Sequence, residues 1–141
     1  MGIISCDSPG SRDLVLNLGI SDHIERLLAA EGNSLALRQA TARLLSNMCR
    51  GESDVNLVIP LMSIAATYFQ QQTVEDDEIL SELLWALASV SESKDAIDLV
   101  LATGVTSNIC AILMGNCVDS FAVAGIRTIV EGMRPRYRRC R

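Results

Sequence analysis

Glu78, Glu82, Trp85 and Ser89 are the residues of this sequence whose types and spacing best suit a chemical task. They follow one another at intervals of 4, 3 and 4, so at 3.6 residues per turn they fall on one stripe of a helix. The apolar set Ile79, Leu80, Leu83, Leu84, Leu87 and Val90 takes the rest of the circumference, which leaves the chain's single tryptophan among polar neighbours. A lone tryptophan more often packs in a core. Two carboxylates beside the indole point instead to a surface for cationic side chains, with the acids taking the charge and the ring lying along the aliphatic stem.

Nothing comparable suggests catalysis. The single histidine, His23, lies beside Asp22 and Glu25 in the pattern of an exposed helix residue. A nucleophile elbow, a glycine-rich phosphate loop and metal-ligand spacing are all missing from the sequence, so the reading is a non-enzyme with no cofactor and no metal. The five cysteines (Cys6, Cys49, Cys110, Cys117 and Cys140) are odd in number and form no CxxC pair. They read as small packing residues in a reducing compartment, neither a disulfide framework nor a zinc site.

The helix that bears the stripe belongs to an internal repeat. DLVLNLGISDHIERLL at 13–28 aligns with DLVLATGVTSNICAIL at 98–113 at an offset of 85, with seven of sixteen positions identical. Helix ends LLSNMCRG (44–51), ALASVSES (86–93) and GIRTIVEG (125–132) recur at steps of about 42 and 39. A period of ~40–47 residues marks helical solenoids. Each unit reads as three helices. The short first one stops at a glycine (Gly19, Gly104), an amphipathic second follows, and a longer third spans Leu35 to Cys49, Glu75 to Ser91 or Val118 to Glu131. Gln70 to Thr73 reads as the loop between second and third helices of the middle unit. The expected division is the end of a preceding repeat at 1–9, repeats at 10–51, 52–93 and 94–133, and a disordered basic tail at 134–141. With no complete unit before Gly10, the chain looks like an internal slice of a longer solenoid, whose exposed ends would favour association.

With 141 residues, 49% of them hydrophobic, the chain suits one globular unit. The start MGIISCDSPG is no secretory signal, and the longest apolar run, Leu57 to Phe69, is too short for a membrane span of ~20 residues. Residues 1–133 carry seven basic against seventeen acidic side chains, a net −10, and the tail RPRYRRCR carries +5. An acidic body repels nucleic acid and attracts basic peptides.

Several motifs together resemble the importin-α family. ISCDSPGSRDLVLNLG (4–19) is similar to its GDSP-x-x-RDLVL stretch, LLSNMCRG (44–51) to its WTLSNLCRG helix end, and LLWALASVS (83–91) to its CWALSYLSDG, in the family's order and spacing. The resemblance runs from about residue 2 to 133 and corresponds to the middle armadillo repeats. It implies an all-α, right-handed superhelical armadillo solenoid of about three repeats of three helices. It further implies an adaptor that binds the basic localisation-signal peptides of cargo proteins in a concave acidic groove and works between cytoplasm and nucleus. Importin-β would be reached only through an amino-terminal segment that this sequence lacks.

Carried over position by position, Asp7 matches the family aspartate that pairs with the critical lysine of the signal, and Asn47 matches an asparagine that bonds peptide backbone. Trp85 matches a slot tryptophan, Glu78 and Glu82 match acidic groove positions, and Arg50 matches the arginine that ends SNLCRG. The departures are Arg43 in place of the tryptophan of WTLSN, Ile3 in place of an asparagine, Ser89 in place of a tyrosine, and Ala124 and Thr128 in place of an arginine and an asparagine. A lost backbone hydrogen bond costs ~0.5–1.5 kcal/mol and a lost cation–π slot ~0.5–2 kcal/mol, so two or three such losses weaken binding roughly 10²–10³-fold. The groove is therefore expected to be weak or altered. Third helices packed ~8–10 Å apart would let the Arg43 guanidinium lean over Trp85 and fill the slot itself, if it is not simply solvated. A second hypothesis docks the basic tail in the groove of its own or another copy, with a disordered end as the plainer reading. The rival reading is an armadillo scaffold that no longer binds localisation signals and holds another protein through the same face.

Overall fold

The computed structural model describes residues 9–51, 54–71 and 76–114. Among them are seven helices and no strand: α1 Pro9–Asn17, α2 Ile20–Ala29, α3 Leu35–Cys49, α4 Val55–Gln71, α5 Asp77–Val90, α6 Ile97–Ala102 and α7 Val105–Met114. Asp7, Ile3, Ala124, Thr128, the expected helix at 118–131 and the basic tail lie outside the described residues.

Local chemistry explains where the elements begin and end. Gly19 and Gly104 both adopt left-handed backbone, with φ of 78° and 76°, and each separates a short helix from the amphipathic one that follows. They are equivalent positions of the two segments matched at an offset of 85, so the duplicated segments fold alike. Ser34 caps α3 by accepting from the Leu37 N–H at 3.3 Å, and Asp76 caps α5 by accepting from the Ile79 N–H at 3.0 Å. Asp77 and Glu78 add negative charge to the first turn of α5, where the helix dipole favours it.

The middle unit departs from the three-helix expectation. Between residues 55 and 71 there is no glycine to supply a left-handed stop, and α4 runs unbroken through Pro60 and on to Gln71, two residues into the stretch read as a loop. Pro60 forgoes one backbone donor near the start of a helix that packing holds on both sides.

Contacts pass from neighbour to neighbour. The second helices form one row, α2 against α4 and α4 against α7, while the third helices α3 and α5 pack side by side as the most extensive contact in the molecule. The core lies between the rows, and Ile24, Leu45, Phe69, Leu83, Leu87 and Ile109 are fully buried. This is the quasi-one-dimensional arrangement of an α-solenoid, in which no unit buries its apolar face alone.

Candidate functional site

The helices α3 and α5 each turn a polar stripe away from the core. On α5, Glu78, Glu82, Trp85 and Ser89 are all partly exposed, whereas Ile79, Leu83, Leu84, Ala86, Leu87 and Val90 are buried. The indole of Trp85 packs against the core on one side and keeps part of its surface in solvent. On α3, Arg43 and half-buried Asn47 lie four residues apart on one face, and Arg50 follows with extended backbone as the residue that ends the helix.

Three observations fix how the stripes sit beside each other. Gln39 Nε2 donates to both carboxylate oxygens of Asp76, at 3.4 and 3.3 Å. The Arg43 guanidinium forms an ion pair with Glu78. Further along, Arg50 and Gly51 line a depression of about 400 Å³ together with Trp85, Ser89 and Glu92. The two helices therefore run in the same direction, with Arg43 reaching a residue 35 positions on, Gln39 one 37 positions on, and Arg50 sharing its depression with Trp85, Ser89 and Glu92. The sequence repeat would have matched Arg43 to Trp85, at a separation of 42. The difference of seven residues is two helical turns, about 10 Å of rise. The guanidinium accordingly meets Glu78 and not the Trp85 ring.

The pair is solvent-accessible, with Arg43 55% and Glu78 40% exposed. The hydrogen bond that Arg43 donates to Glu78 raises the pKa of the guanidinium above its ordinary value, and the charges of Glu78 and, more weakly, Glu82 act in the same sense. Of the sequence-derived set, the structure thus joins Arg43 to Glu78 and brings Arg50, Trp85 and Ser89 around one depression, with Asn47 and Glu82 on the same stripes between them.

Sequence reasoning passed over the contact that holds the Arg50–Gly51 side of this depression. Arg12, from the SRDLVL segment, is 6% exposed and donates through Nη1 to the carbonyl oxygen of Arg50. Gly51 follows α3 with φ of 76°, and a Cβ built there would stand 3.3 Å from Arg12 Nη1. Only glycine meets both demands, since the left-handed region costs other residues ~1–2 kcal/mol. Gly51→Ala is therefore expected to lower the midpoint of a thermal melt by several degrees. Gly51→Asn, better tolerated in left-handed backbone, should lose less of that stability than its bulk suggests.

Cys49, also beside Arg12, is buried, and desolvation pushes its thiol up to about 12 against the opposing charge of Arg12. A thiol so far from ionising is inert at neutral pH. Cys110, read as a packing residue, is exposed. Among the described residues no cluster of histidine, cysteine or acidic side chains is arranged to hold a metal ion, and no helix is long and apolar enough to cross a membrane.

Stacked helical units with a charged two-helix face define a helical-repeat protein of the α-solenoid class. Two engineered proteins of known structure share the fold: one has a TM-score of 0.77 at 16% identity over 92% of this chain and 31% of its own, the other 0.76 at 20% identity over 92% and 53%. No family model matches the chain. It is similar to importin subunit alpha-2 of Arabidopsis thaliana, at 31% identity over 116 residues that cover 80% of this chain and 21% of that protein. It is also similar to importin subunit alpha-1 of Schizosaccharomyces pombe, at 28% identity over 113 residues, 75% of this chain and 20% of that protein. The chain is a divergent, armadillo-like relative of the importin α subunits, and spans about a fifth of their length.

Proposed function

We propose that the chain is the peptide-binding portion of an importin-α-like adaptor, which takes basic localisation-signal peptides of cargo proteins onto the face formed by α3 and α5 and serves nuclear import between cytoplasm and nucleus. The observation that carries this reading is the depression lined by Arg50, Gly51, Trp85, Ser89 and Glu92, with Glu82 one turn before the indole on α5. A lysine stem laid along Trp85 would place its ammonium near these acids, and Asn47 offers an amide to the peptide backbone. Asp7 would extend the acidic face, as the family resemblance implies. The substituted positions make this groove weaker than an unaltered one.

A second reading has an observation in its favour. The Arg43–Glu78 ion pair leaves one groove acid already engaged by the protein's own cation, which suits a scaffold that holds a different partner through the same face. Titration of the purified chain with a lysine-rich localisation-signal peptide and with a scrambled, charge-matched control separates the two. The adaptor reading expects salt-sensitive binding of the signal at least several-fold tighter than the control. Equal binding of the two peptides, or none at low salt, would leave the scaffold.

A further inference from the structure

Resting on the peptide-binding reading above, we propose that Arg43 is a built-in competitor that occupies Glu78, so that the groove favours a cationic ligand that settles from Glu82 and Trp85 onward. The spacing makes this specific: Arg43 is bonded to Glu78, while Trp85 lies seven residues, two helical turns, further along α5, where it lines a depression with Arg50. The guanidinium therefore blocks one acid without covering the indole. Glu82, between Glu78 and Trp85 on the same stripe of α5, marks where the open part of the groove begins.

The competition is an exchange. A ligand ammonium that approaches Glu78 must displace a guanidinium already bonded there, so it ends with one ion pair gained and one lost. A ligand that settles on Glu82 and Trp85 pays no such penalty. The groove thereby prefers a ligand with one well-placed basic residue over one that relies on a continuous basic run. Both partners are solvent-accessible, so the latch is weak and its effect is one of selection, not closure.

The test titrates hexalysine into the full chain, into Arg43→Gln and into Arg26→Gln. Arg26 lies on α2, in the other row of helices, and its substitution removes the same charge without touching Glu78. The expected result is roughly two- to fivefold tighter binding by Arg43→Gln, the range for one exposed ion pair, with Arg26→Gln close to wild type. Binding by the Arg43→Gln chain alone would support the latch more strongly still. If wild type binds and Arg43→Gln gains nothing, or no more than Arg26→Gln, the latch is overturned and the groove reading stands. If neither wild type nor Arg43→Gln binds, both are overturned.

Discussion

Trp85→Ala is expected to weaken binding of a lysine-rich peptide by about 3- to 30-fold, the range spanned by a cation–π contact of ~0.5–2 kcal/mol at 1.4 kcal/mol per tenfold. Trp85 is the one aromatic side chain of the α5 stripe, and it lines the depression together with Arg50. Because its indole also packs against the core, the alanine variant loses some stability, and the fraction folded must be checked by circular dichroism. Trp85→Phe keeps a π face and most of the packing, so it should recover much of the affinity. Equal affinities for wild type, Trp85→Ala and Trp85→Phe would remove the indole from the binding site.

A second large effect is expected from Phe69→Ala, for stability. Phe69 is fully buried on α4, the helix that touches α1, α2, α3, α5 and α7 and so ties both rows of the solenoid together. Truncating such a phenylalanine costs ~3–5 kcal/mol, a large part of the ~5–15 kcal/mol that holds a domain together. A fall of about 10–20 °C in the thermal midpoint follows for a chain of this size. A fall of less than 5 °C would mean that α4 is not the element on which the neighbouring units depend.

Much of the fold was readable because it rests on local signals. The third helix of the first unit runs from Leu35 to Cys49 as its amphipathic pattern indicates, and Gly19 and Gly104 break their helices because left-handed backbone suits glycine. The unbroken α4 was hidden by an assumption of regularity: the middle unit carries no glycine between 55 and 71, and that was visible in the letters. The polar face of α5 was readable from spacing, since Glu78, Glu82, Trp85 and Ser89 needed only the helical period to share a stripe.

What joins the stripes was not readable. The ion pair of Arg43 with Glu78, and the place of Arg50 beside Trp85, depend on how far one helix slides along another, a tertiary quantity with no trace in the repeat. Arg12 escaped notice for a related reason. Its burial against Arg50 and Gly51 comes from chain 38 residues away, and a lone arginine in a helical pattern ordinarily reads as surface. Cys49 and Cys110 look alike in the sequence, yet one is buried and the other exposed.

The reach of Arg43 from α3 to α5 has a consequence for how such a protein can change over evolutionary time. Copies made by duplication carry matching letters about 42 positions apart, but Arg43 pairs with Glu78, 35 positions on, so this residue meets a stranger to its own copy. Compensating changes among descendants should accordingly couple Arg43 with Glu78, diagonally across the duplicated pattern. Position-for-position comparison of the copies would pass over that coupling.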